Sequence, residues 1–87
     1  MDASAQAAID AVRSQITIKS VVRKNGAVIV TVRDQFELAR IPGETRMKRT
    51  GWEHYPAMVY KWFDGVKFRC FLKAVPDELK NRSVEVV

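Results

Sequence analysis

Hydrophobic and polar positions alternate along two stretches of the chain, each broken once by an Asx-Gly pair. Residues 16–24 and 27–33 flank Asn25-Gly26, and Tyr55 to Lys73 (YPAMVYKWFDGVKFRCFLK) flanks Asp64-Gly65. An Asn-Gly or Asp-Gly pair suits a two-residue type I′ turn, in which both central residues take positive φ. Each stretch therefore predicts a β-hairpin, and the turn fixes its register. In the second hairpin Phe63 faces Val66, Trp62 faces Lys67, Lys61 faces Phe68, Tyr60 faces Arg69, Val59 faces Cys70 and Met58 faces Phe71.

Side chains alternate across a strand, so these pairs sort onto two sides. One side carries Ala57, Val59, Phe63, Val66, Phe68, Cys70 and Leu72, with Lys61 as the exception, and reads as a core face. The other carries Met58, Tyr60, Trp62, Lys67, Arg69, Phe71 and Lys73. There Trp62 stands opposite Lys67 and Tyr60 opposite Arg69. Rings beside cations stack unpaired bases and neutralise phosphates. Cross-strand cation–π pairs that simply stabilise the sheet are the structural alternative, and an N-terminal helix lying over these rings is another. A slip of one residue would exchange the two faces.

In the first hairpin the same rule pairs Val22 with Ile29, Val21 with Val30, Arg23 with Val28 and Lys19 with Val32. Both of its faces are partly apolar, which predicts cover on both sides near its middle. Ahead of it, Ala5, Ile9, Val12 and Ile16 follow helical spacing, alanines supply propensity, and Asp2 or Ser4 suits the cap. The spacing predicts a helix to about Ser14.

The remaining segments are short. Asp34 to Ile41 (DQFELARI) reads as a strand or an irregular lead into a loop. Residues 42–54 contain Pro42, Gly43 and Gly51 and read as a long, mobile basic loop. Arg40, Arg46, Lys48 and Arg49 gather around it and Trp52 closes it, a combination suited to phosphate contacts plus stacking. Pro76 at a first helical position, followed by Asp77 and Glu78, predicts a helical turn. Residues 83–87 alternate like a last edge strand.

The segment YPAMVYKWFDGVKF followed by VPDELK resembles a hairpin signature of small phage and prophage accessory proteins. Tyr55, Pro56, Met58, Tyr60, Asp64 and Gly65 carry the resemblance, while Lys61-Trp62-Phe63 is less polar than the usual approach to the turn. The resemblance implies a phage origin and, in a bacterial host, stoichiometric binding of nucleic acid, virion parts or a host protein.

With 87 residues, the chain suits one domain with one modest core, which a dimer contact would enlarge. A net charge of +5 favours anionic partners, either nucleic acid or an acidic protein surface. Cys70 is the only cysteine, which predicts no intramolecular disulfide and a reducing cytoplasm. The first residues lack the basic and apolar regions of a signal peptide, and no run is long enough to span a membrane. His54 is the only histidine, glycine-rich phosphate loops are absent, and the carboxylates are scattered. Neither metal, cofactor nor catalytic chemistry is indicated.

These readings converge on an α+β fold over residues 1–87: an N-terminal helix packed on a curled antiparallel sheet of four to five strands, built from two hairpins. The expected function is non-enzymatic binding of nucleic acid through Arg40, Arg46, Lys48, Arg49, Lys67 and Arg69, with Trp52, Tyr60 and Trp62 stacking. A protein–protein module, as a phage structural component or an inhibitor of a host protein, is the alternative, because rings and arginines also dominate protein interfaces.

Overall fold

The computed structural model describes residues 3–79, so the proposed Asp2 cap and the expected strand at 83–87 lie outside the described residues. Helix α1 (Ala3–Val12) runs into a 3-10 turn (Arg13–Gln15). Strands β1 (Ile18–Lys24) and β2 (Ala27–Val32) follow, then helix α2 (Gln35–Ala39) and strands β3 (Arg46–Arg49), β4 (Ala57–Phe63) and β5 (Val66–Leu72). A 3-10 turn over Asp77–Leu79, closed by Leu79 N–H donating to the Pro76 carbonyl, stands where a helical turn was expected.

Both hairpin turns form as the sequence requires. Asn25 and Gly26 take φ of 52° and 80°, Asp64 and Gly65 take 48° and 79°, the left-handed values a type I′ turn demands. The second hairpin keeps the predicted register in every pair from Ala57↔Leu72 to Phe63↔Val66. The five strands form an open sheet in the order β1-β2-β5-β4-β3. It is α+β and mixed: the hairpins are antiparallel, but β2 and β5 meet in parallel, with Val30 beside Phe68. Parallel neighbours need a crossover, and here α2, β3 and β4 all intervene.

One face of this sheet is the core. Ala5, Ala8, Ile9, Val12 and Ile16 of the N-terminal segment pack with Val28, Val30 and Val32 of β2, Val59 of β4, and Val66, Phe68 and Cys70 of β5. Leu38 and Ile41, in and just after α2, complete the layer. The helix therefore lies on the apolar face and not over the aromatic one.

Three local expectations change. Within Asp34 to Ile41, Gln35–Ala39 form a helix, because Asp34 caps it: its carboxylate accepts from Glu37 N–H at 2.9 Å. That bond holds the Asp34 carboxyl below its ordinary range, and the neighbouring Arg33 adds to the effect. Buried Glu37 accepts from Thr17 N–H and Oγ1 at 2.9 and 3.0 Å and pairs with Arg33 at 3.2 Å, tying α2 to the start of β1. Residues 46–49, read as part of a loop, form edge strand β3, which pairs Arg46 with Tyr60 and Lys48 with Met58. In the first hairpin a bulge between Ile18 and Ser20 replaces the Lys19–Val32 pair by Ile18↔Val32. The bulge turns Ile18 onto the core, which it joins. Cover on both sides holds for β2, whose Val28, Ile29 and Val30 are buried, but β1 is an outer strand with Val21 and Val22 exposed.

Lys61 stays on the core face, as the register requires, and is only 2% exposed. Its ammonium donates to the Ile41 carbonyl at 2.7 Å, just past the end of α2. Burial pushes its pKa below the ordinary 10.5. Between the lowered and the ordinary value the unfolded chain holds more protons, so stability should rise with pH across that window. Urea unfolding of the wild type and Lys61→Met at pH 7 and pH 10 checks this. The wild type gains stability relative to Lys61→Met on going to pH 10; an unchanged difference would mean that the amine is not desolvated.

Candidate functional site

The face turned away from the helices is built by cross-strand parity. Directly paired residues share a side, so the pairing places Arg46 and Lys48 of β3 with Met58, Tyr60 and Trp62 of β4 and with Lys67, Arg69 and Phe71 of β5. The parallel β2–β5 register extends the same side to Ile29 and Thr31, and the first hairpin extends it to Ser20, Val22 and Lys24. One continuous surface crosses all five strands.

Its rings and cations interlock, though not in the directly opposed pairs expected. Lys67 lies over the Tyr60 ring at 4.7 Å and Lys48 approaches that ring at 5.6 Å, so Tyr60 is held between two ammonium groups from neighbouring strands. Arg69 lies over Phe71 at 4.9 Å, and its Nε donates to Thr31 Oγ1 at 3.0 Å. The two lysines reach the ring diagonally across strands, as long side chains can on a twisted sheet, whereas Arg69 leans along its own strand to the ring two residues on. Among the described residues Trp62 has neither a cation over it nor a ring beside it, and it is 52% exposed.

The far end of the face is organised by the loop between β3 and β4. Buried Thr50 donates its N–H to the Pro56 carbonyl and its hydroxyl to the Tyr55 carbonyl, and accepts from Trp52 N–H. The closed loop lays Trp52 on Phe71, centroids 5.0 Å apart and nearly parallel, and sets Tyr55 against the same ring at 6.0 Å. Phe71 is thus the hub of this end. The hairpin register puts it on this face, but it lies outside the candidate set, as does Tyr55.

The positive charges reinforce one another. Burial, and then the fields of Lys48, Arg69 and Lys24, push the Lys67 pKa below its ordinary value. Burial lowers that of Arg69 in the same direction. Among the described residues none of Lys48, Lys67 and Arg69 forms an ion pair; Arg46 approaches Glu44 at 3.6 Å on the exposed edge. Lys24 joins the group only through the parallel junction, which no local pattern announces.

The nine predicted residues therefore divide. Arg46, Lys48, Tyr60, Trp62, Lys67 and Arg69 share the face, and Trp52 borders it. Arg40 does not belong: it sits after α2 in the helical layer and donates to the Gln15 carbonyl at 3.2 Å. Arg49 pairs with Ala57 and so alternates to the core side of β3. No group of three or more His, Cys, Asp or Glu placed to hold a metal ion occurs among the described residues. Nor does any described helix have the length and apolarity to cross a membrane.

Two measurements check this arrangement. In a Trp62→Phe background, Phe71→Ala should shift Trp52 emission to longer wavelength and cost about 2 kcal/mol, less than the ~3–5 of a fully buried phenylalanine. In NMR titrations of the lysine side chains, Lys67 should lose its proton below 10.5, and Lys48→Gln or added salt should move it back upwards. A Lys67 titration indifferent to both would mean that the cations do not share a field. Compared with protein-family models, curated sequences and solved structures, the chain matches none of the three.

Proposed function

We propose that the protein is a non-enzymatic binder of nucleic acid, which it engages on the open sheet face with unpaired bases over Trp62 and phosphates on Lys48, Lys67 and Arg69. The observation that carries this reading is the state of Trp62. A tryptophan that served the sheet would be covered or paired with a cation. Here Tyr60 and Phe71 take the cations, and the indole stands exposed beside them. A ring open to solvent next to amines without carboxylate partners suits a stacked base with its phosphate.

Two further features support the reading. The desolvated, mutually repelling cations gain more from an incoming polyanion than isolated surface lysines would. The Cys70 thiol is buried and its pKa is pushed up by that burial, which disfavours the thiolate a nucleophile requires. Unpaired bases suit exposed rings better than a duplex, whose bases already stack on one another. The hairpin resemblance adds a phage-encoded accessory role as the biological setting.

Fluorescence anisotropy of labelled single- and double-stranded oligonucleotides at several salt concentrations tests the proposal. Binding to the single strand should weaken with salt, with a log–log slope of about −0.7 for each phosphate contacted. Trp62→Ala should weaken it by about 1–3 kcal/mol, and Lys67→Gln should flatten the slope by roughly one phosphate. Salt-insensitive binding, or full affinity after Trp62→Ala, would sink the idea. A discrete protein recovered with the chain after nuclease treatment would favour the interaction-module alternative, for which Val21 and Val22, exposed on the outer strand β1, are the supporting observation.

A further inference from the structure

Both type I′ turns lie at one end of the sheet, because β2 and β5 are parallel and each follows its turn directly. The opposite end, where β2 and β5 finish, holds a groove. It is lined by Lys19, Arg33, Trp52, Tyr55, Phe71 and Lys73, and a neighbouring pocket that shares Trp52, Tyr55 and Lys73 with it is lined also by Glu53 and His54. We propose that this groove is a second, distinct site, which takes a nucleotide bearing a phosphomonoester: the base on Trp52, the phosphate among Lys73, Lys19 and Arg33.

Three observations carry the assignment. First, Trp52 has one face laid on Phe71 and remains 48% exposed, so an aromatic platform is already fixed in place with its other face open. Second, the cations come from three separate segments that converge on the groove. Lys19 is the residue that the β1 bulge leaves without a partner across the strand, and bulges re-aim side chains in this way. Lys73 follows the end of β5 and is exposed, and Arg33 follows the end of β2, where it also holds Asp34 and Glu37. Third, the charge is concentrated. A phosphodiester carries one negative charge, whereas a phosphomonoester carries about 1.5 to 2 at neutral pH and offers three acceptor oxygens. Lys19 and Lys73, which have no carboxylate partner among the described residues, match the charge of the monoester, and Arg33, whose Nε and one terminal nitrogen already hold Asp34 and Glu37, has its remaining N–H donors to offer.

Such a monoester occurs on a free nucleotide or at the end of a strand. The strand-end form rests on the open face being a nucleic-acid platform, since the groove continues that face past Phe71. The free-nucleotide form does not.

Two single-tryptophan proteins separate these ideas. Trp62→Phe leaves Trp52 as the reporter of the groove, and Trp52→Phe leaves Trp62 as the reporter of the face. The probes are a nucleoside, its 5′-monophosphate, inorganic phosphate, and short single strands with a 5′-phosphate, a 3′-phosphate or neither. In the Trp62→Phe protein the monophosphate should quench Trp52 at concentrations at least about tenfold below those of the nucleoside. Inorganic phosphate alone should leave the emission unchanged, and Lys73→Gln should weaken the monophosphate response by roughly tenfold. Equal quenching by nucleoside and monophosphate, or a response indifferent to Lys73→Gln, would overturn the groove site.

A stronger response to phosphorylated than to unphosphorylated strands assigns the site to strand ends. A response to the free monophosphate alone assigns it to a mononucleotide. If Trp62 responds to strands while Trp52 responds to none of the probes, the groove proposal fails and the face reading stands. If Trp52 responds to the monophosphate while Trp62 responds to no strand, the face reading fails and the groove stands.

Discussion

The parity of the Asp64-Gly65 turn decides what each side of this protein is. Both central residues are held in the left-handed region, which leaves a two-residue loop and a single register. With that register, Val59, Val66, Phe68 and Cys70 face the helices, and Tyr60, Trp62, Lys67 and Arg69 face outwards. A slip of one residue would reverse every assignment. The energetics favour the observed choice by a wide margin. Burying each large apolar side chain is worth about 1.5–3 kcal/mol, while the register's one misfit, Lys61, carries a desolvation penalty of several kcal/mol. The Ile41 carbonyl reduces that penalty, and in doing so the amine fastens the end of α2 to the middle of β4. Even the exception thus holds two layers together.

The features written locally in the sequence are those found in the structure: two Asx-Gly turns, their strand registers, the apolar stripe of α1 and the division of the central hairpin into two faces. What could not be read locally depends on partners distant in the chain. The helix at Gln35–Ala39 is too short to declare itself by periodicity; it exists because Asp34 caps it and because Thr17, some twenty residues away, binds Glu37. Strand β3 carries four polar or flexible residues and becomes a strand only by pairing with β4. The bulge at Lys19 answers to the core, which gains Ile18 by it. The parallel junction of β2 with β5 has no local signature at all, and it alone brings Lys24 and Thr31 to the same surface as Lys67 and Arg69.

For the candidate site this division matters. The hairpin register was enough to group Tyr60, Trp62, Lys67 and Arg69. Alternation within a strand, invisible while 42–54 was read as a loop, then separates Arg46 and Lys48 from Arg49, and the capping of α2 removes Arg40 to the other layer. The direct ring–cation opposition drawn from the register is replaced by diagonal contacts of Lys48 and Lys67 with Tyr60 and by an in-strand contact of Arg69 with Phe71. That change alters the weight of the evidence. Opposed pairs would have used Trp62 to neutralise Lys67, a structural task. The observed contacts give the task to Tyr60 and Phe71, and among the described residues no cation lies over Trp62.

The magnitudes support the same distinction between what stabilises the face and what it offers to a partner. Each exposed cation–π contact contributes about 0.5–1 kcal/mol. Two unit charges some 7 Å apart in water repel by roughly 0.6 kcal/mol, so three ring contacts are of the same order as the repulsion of Lys67 by Lys48, Arg69 and Lys24. The face is held together without surplus. Small domains commonly relieve such crowding with surface carboxylates, and here none of the described acids lies on a strand: Asp10 is in α1, Asp34 and Glu37 are at α2, Glu44 precedes β3 and meets Arg46, Glu53 is in the β3–β4 loop, Asp64 is in the turn, and Asp77 and Glu78 are in the last 3-10 turn. A like-charged surface that is balanced only by its own rings responds to an added anion more strongly than one already paired, because the anion removes repulsion as well as adding attraction. The hairpin register places Trp62 near the turn end of that surface and Phe71, with Trp52 on it, near the other. At about 3.3 Å per residue along β5, the four residues from Lys67, which pairs with Trp62, to Phe71, on which Trp52 stacks, span roughly 13 Å of strand, with Arg69 midway. That spacing is imposed by strand geometry.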